Sequence, residues 1–98
     1  MVSIDEELEA AKAAQTAINT LSASAPNPYI VATLRKAKLA AAPITNFSGA
    51  ASLIKVRDKV VNTLSDLIRA LEEGQLTQKK IDKTKSAIED WINRLKVL

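Results

Sequence analysis

Residues 53–71 read LIKVRDKVVNTLSDLIRAL, and this stretch decides the fold because it carries the clearest helical period in the chain. Its large aliphatic residues recur at spacings of seven, four, three and four, which places them on one helix face. These residues are Leu53, Val60, Leu64, Leu67 and Leu71, with a second stripe at Ile54, Val61 and Ile68. Together they span an arc of about 160°, which is wider than one neighbouring helix needs. The stretch therefore predicts a central helix that packs on at least two neighbours.

One charged residue falls inside this apolar arc. Arg57 lies between the directions of Leu64 and Ile68 on the helix. In the simpler interpretation its stem lies on apolar surface while the guanidinium reaches water. The alternative is a buried or interfacial ion pair, which fixes the register or the partner and needs an acid within reach. The acids we consider for such a pair are Glu6, Glu9, Asp82 and Glu89.

The composition favours a single small helical domain over residues 1–98. Only 3% of the residues are aromatic, and the chain has two glycines and three prolines. Alanine is abundant, which favours helix over sheet. Cysteine and histidine are both absent, so the chain has no disulfide, no thiolate, and neither the commonest general base nor the commonest metal ligand. We therefore expect a protein that is not an enzyme and holds no cofactor.

Apolar periodicity and turn residues predict four helices, at about 4–23, 28–42, 50–73 and 78–96. Ser3, with Glu6 three residues later, is a capping box for the first helix. Asn27 before Pro28 is an N-cap followed by proline at the first helical position. Gly74 suits the left-handed position after the third helix, and Thr77 can cap the fourth. The predicted fold class is all-α, a small four-helix bundle.

The third and fourth helices are predicted to form a tight antiparallel C-terminal hairpin, because the link between them is short. The spacing of Ile81, Ile88 and Leu95 matches that of Leu53, Val60 and Leu67. Pro43 is expected to stop the second helix, because the residue before a proline disfavours the α region. Ile44 and Phe47 are expected to lie on the core.

The first helix is rich in alanine and thin in large side chains. Its inward stripe is predicted to be Ile4, Leu8, Ala11, Gln15, Ile18 and Ser22, with Leu21 at its edge. Burying alanine contributes less free energy than burying leucine. Two arrangements of this helix are considered: it packs on its own chain, or it extends away and packs on another subunit.

Adjacent acids occur at Glu6/Glu7, Glu72/Glu73 and Glu89/Asp90. Neighbours in a helix point roughly 100° apart, so these carboxylates do not converge and are interpreted as solvated faces. The two glycines lack the spacing of a phosphate loop. No catalytic, metal or cofactor-binding residue is predicted.

Charge is unevenly distributed along the chain. Residues 1–25 carry four acids and one base, whereas residues 76–98 carry six bases and three acids. Complementarity within the chain is the simpler explanation. A nucleic-acid interpretation places Lys79, Lys83 and Arg94 along one exposed strip that meets phosphates. Acids interrupt that strip and no aromatic residues are interleaved with it, so nucleic acid is the weaker partner prediction.

The predicted function is protein–protein assembly, as a structural subunit or adaptor of a larger complex or as a homo-oligomer. A virion component fits this description, although no residue demands it. The candidate interface residues are Arg57, Trp91, Tyr29 and Leu8. Trp91 is also an ordinary core residue, and tryptophan at an interface is a common hot spot.

Two alternatives to assembly are a small basic nucleic-acid-binding or regulatory protein, and an inhibitor that binds its target through the acidic first helix. The chain shows no apolar run of about 20 residues and opens with acids rather than with a signal peptide. We therefore expect no membrane partner and a place in the cytoplasm or in a soluble assembly.

Overall fold

The computed structural model describes residues 4–42 and 51–97, which form four α-helices. The helices are α1 (Ile4–Asn19), α2 (Val31–Ala41), α3 (Ala51–Glu73) and α4 (Gln78–Lys96), and one turn of 3₁₀ helix (Pro28–Ile30) precedes α2. No strand is present in these residues, so the predicted all-α bundle is confirmed. None of the helices within them is both long and apolar enough to cross a membrane.

Each helix packs on the two beside it, in a ring that runs α1, α2, α3, α4 and back to α1. Arg35, in the first half of α2, bonds to Glu72 at the end of α3, with Nη2 and Oε2 2.7 Å apart. The Ala23 N–H, just after α1, donates to Oε1 of Gln78 at the start of α4, at 3.4 Å. Neighbouring helices are therefore antiparallel. Because α1 packs on α2 and α4, the alternative in which it packs on another subunit instead does not hold.

The α3–α4 turn has the geometry that its residues predict. Gly74 has φ of +69°, the left-handed region that glycine tolerates best. The Gln75 N–H donates to the Ala70 carbonyl at 2.8 Å, which closes a Schellman turn. Thr77 Oγ1 accepts the Lys80 N–H at 3.2 Å and caps α4. These local bonds fix the antiparallel hairpin of α3 and α4.

The first two helices differ from their predicted bounds. α1 ends at Asn19, not near residue 23, because Thr20 donates its N–H and its hydroxyl to the Ala17 carbonyl and tightens the last turn. Asn27 Oδ1 accepts the Tyr29 N–H at 3.1 Å, as expected of a cap. The turn that follows is 3₁₀, and the α-helix begins at Val31.

The core contains side chains from all four helices. α3 and α4 supply most of the large ones: Leu53, Val60, Leu64, Leu67, Ile68, Leu71, Ile81, Ile88, Trp91, Ile92 and Leu95. α1 and α2 supply mainly alanines, with Ile18 and Leu34 as their large members. Small side chains allow the first two helices to approach closely. The two neighbours on which α3 packs, α2 and α4, both belong to the same chain.

Several predicted positions lie outside the described residues. They are the cap at Ser3, the helix stop at Pro43, and the core positions of Ile44 and Phe47.

Candidate functional site

A buried ion pair crosses the ring from α1 to α3. Arg57 Nε donates to Glu7 Oε2 at 2.9 Å, and Arg57 Nη2 donates to the other carboxylate oxygen, Oε1. On α4, Trp91 Nε1 donates to the same Oε2 at 2.7 Å. Glu7 is 1% exposed, Arg57 4% and Trp91 0%. One carboxylate therefore joins three helices through charge-assisted hydrogen bonds.

This geometry corrects two predictions. Arg57 does not reach water, so the simpler interpretation is wrong and the buried pair is present. Its partner is Glu7, which is none of the four acids considered. Glu7 was expected on a solvated face, but the angle between adjacent helix residues turns it inward while Glu6 stays exposed.

A signal for Glu7 exists in the sequence. It shares one face of α1 with Ala11, Ala14 and Ile18, at spacings of four, three and four, and all four side chains are buried. The inward face is therefore rotated from the predicted one, and Leu8 is only partly buried at the edge of the core. A stripe that mixes alanines with one acid is hard to recognise because its apolar signal is weak.

The four candidate interface residues occupy different places. Arg57 and Trp91 are buried inside the chain, so neither side chain is available to a partner on the surface of this fold. Leu8 packs against the core. Tyr29 is 90% exposed and is the one of the four that lies fully open to solvent.

Three exposed aliphatic side chains lie at one end of the bundle, which we name the apolar end: Leu39, Ile54 and Val97. They are 65%, 47% and 74% exposed. Leu39 is near the end of α2, Ile54 is near the start of α3, and Val97 follows α4. Since adjacent helices are antiparallel, all three belong to the same end, and Tyr29 belongs to the other.

A groove between α3 and α4, which we name the lysine groove, has a volume of about 620 Å³. It is lined by Lys59, Asn62, Thr63 and Asp66 of α3, and by Thr77, Lys79, Lys80, Lys83 and Thr84. Thr84 is buried beneath it, and its hydroxyl donates to the Lys80 carbonyl at 2.8 Å. The four lysines are exposed, so their ammonium groups share one solvent-open surface.

The structure brings together only part of the predicted basic strip. Lys79 and Lys83 share the lysine groove. Arg94 lines a separate pocket with Val56, Asp90, Asn93 and Val97. It lies three helical turns from Lys83, about 16 Å along α4. Sequence reasoning missed Lys59, because nothing local shows that the polar face of α3 turns toward the start of α4.

Among residues 4–42 and 51–97, no group of three or more carboxylates is placed to hold a metal ion. Comparison with protein-family models, with curated proteins and with solved structures returned no match. The class of protein that the described residues define is thus an all-α four-helix bundle. Its functional candidates are two surfaces, the apolar end and the lysine groove.

Proposed function

We propose that this chain is a non-enzymatic helical protein that acts through protein–protein assembly, as a structural subunit or adaptor. The observation that supports the proposal is the apolar end. Single exposed aliphatic residues are normal on a protein surface. Here Leu39, Ile54 and Val97 all lie at the same end of the bundle, and none of them belongs to the described core.

The simplest assembly consistent with this end is a two-fold pairing of two copies, in which each presents the same patch. The pocket beside Val97 contains Asp90 and Arg94, one turn apart on α4. A two-fold axis can place the acid of one copy against the base of the other. A chain of 98 residues also buries a limited share of its surface alone, so association adds useful burial.

Sedimentation velocity over a concentration series tests this proposal. We expect the wild-type protein to associate with increasing concentration, and Leu39→Glu/Ile54→Glu to weaken association at least about ten-fold, which corresponds to ~1.4 kcal/mol. The matched control is Tyr29→Glu/Ala32→Glu, at exposed positions near the opposite end. The control should associate as the wild type does.

Two results together would contradict assembly at this end. The first is a wild-type protein that stays monomeric up to ~1 mM, the concentration at which even weak specific pairs form. The second is a lysate pull-down in which every protein retained by the wild type is also retained by Leu39→Glu/Ile54→Glu.

A further inference from the structure

The lysine groove contains positive charges at positions where they lower the stability of the fold. Lys79 and Lys80 lie in the first turn of α4, where the helix dipole disfavours cations. By contrast, the first turn of α1 contains three acids. Glutamate at position 80 would complete a capping box with Thr77, yet the chain has lysine there. Residues that break a local stability rule in this way are commonly retained for function.

The α3 wall of the lysine groove also carries positive charge. Lys59 of α3 lines the same groove as the three lysines of α4, and Asp66 is the one acid among the lining residues. Like charges that share one groove repel one another, and an anion bound among them relieves the repulsion. The groove therefore favours a ligand that carries several negative charges.

The length of the groove and the side chains that line it indicate which class of anion it can bind. From Lys59 to Asp66 the α3 wall extends about 10 Å. That length accommodates a row of two or three phosphate groups. Asn62 adds an amide donor and Thr77 a hydroxyl donor to the lysine ammonium groups, whereas the Thr63 hydroxyl already donates to the Val60 carbonyl. None of the lining residues in the described part of the chain is aromatic, so the groove offers no platform on which a base can stack.

We propose that the lysine groove binds a row of two or more phosphate groups, supplied by a free oligophosphate or by the backbone of a nucleic-acid strand. Recognition is by charge and is independent of base sequence. The proposal uses Lys79 and Lys83 of the predicted basic strip, adds Lys59 and Lys80, and leaves out Arg94. It does not depend on assembly through the apolar end.

Two probes distinguish the sources of phosphate: sodium triphosphate, measured by calorimetry, and a fluorescein-labelled oligothymidylate, measured by anisotropy. The test variant is Lys79→Glu/Lys83→Glu. The matched control is Lys12→Glu/Lys36→Glu, in the groove between α1 and α2. Both double variants change the net charge from +3 by the same amount, to −1, so a difference in their binding does not arise from net charge.

At low salt we expect the groove variant to bind at least about ten-fold more weakly than the wild type, and the control to change less than about three-fold. The slope of log affinity against log salt should fall by about two in the groove variant, because two phosphate contacts are lost. Binding of triphosphate alone assigns a free oligophosphate, and binding of the oligonucleotide alone assigns a strand. Either result supports the proposal.

One substitution, Lys80→Glu, is expected to change phosphate binding and thermal stability in opposite directions. Lys80→Glu is expected to raise the melting temperature by a few degrees, because it completes the capping box, and to weaken binding about three-fold or more. Three results would overturn the proposal: neither probe binds at low salt, both double variants lose affinity equally, or Lys80→Glu binds as the wild type does.

Discussion

Replacing Glu7 by glutamine is expected to cost about 3–5 kcal/mol of unfolding free energy, because it removes the negative charge from the group that the buried Arg57 guanidinium is bonded to. The carboxylate accepts two hydrogen bonds from Arg57 and one from Trp91. Domains of this size have a total stability of about 5–15 kcal/mol. The melting temperature should therefore fall by at least about 15 °C, as followed by circular dichroism.

The control for this variant is the same chemical change at an exposed position of the same helix. Glu9 is exposed, so Glu9→Gln should alter stability by less than about 0.5 kcal/mol. If Glu7→Gln melts within a few degrees of Glu9→Gln, the buried pair does not hold α1 to the bundle.

Truncating Trp91 to alanine is expected to cost about 4–5 kcal/mol, because it empties the volume of the largest fully buried side chain. It also removes the Nε1 donor from Glu7 Oε2. Trp91→Phe separates the two effects. Phenylalanine keeps most of the apolar ring and loses the donor, so its cost should be about 1–3 kcal/mol. Urea unfolding followed by circular dichroism measures both variants.

Trp91 is the only tryptophan in the chain, so its fluorescence in the wild-type protein reports on this site directly. We expect its emission to shift to longer wavelength in the same transition that circular dichroism detects, as a two-state bundle requires. Equal costs for the alanine and phenylalanine variants would contradict the packing role assigned to the ring.

The C-terminal half of the fold was predictable because its signals are strong and local. Large aliphatic residues repeat on α3 and α4 with an unambiguous helical period. Gly74 and Thr77 mark the turn through backbone chemistry that depends on a few neighbouring residues. The structure accordingly confirms the bundle and gives α4 the predicted range, Gln78–Lys96.

The inward face of α1 was not predictable with the same clarity. Alanine is common on both the buried and the exposed sides of this helix, so periodicity could not choose between Leu8 and Glu7 as the inward residue. Arg57 stood out because it interrupts a strong stripe. Its partner, fifty positions away, depends on the rotation of α1, which only tertiary packing sets.

The lysine groove was only partly predictable from the sequence, because it also depends on tertiary packing. Lys79 and Lys83 are visible as part of a basic helix, but Lys59 joins them only when the α3–α4 hairpin forms. Arg94 shares their side of α4 on a helical wheel and lies too far along the axis to act with them.

A double-mutant cycle between Glu7 and Arg57 tests the central claim, that this pair fixes α1 against α3 within one chain. Unfolding free energies would be measured in urea for Glu7→Leu, Arg57→Met and the double variant. We predict that each single change costs about 3–5 kcal/mol and that the double variant loses less than either, because neither member of the buried pair is then left without the other. A coupling energy of at least about 3 kcal/mol follows. Costs that add to within ~0.5 kcal/mol, as for independent sites, would contradict the claim.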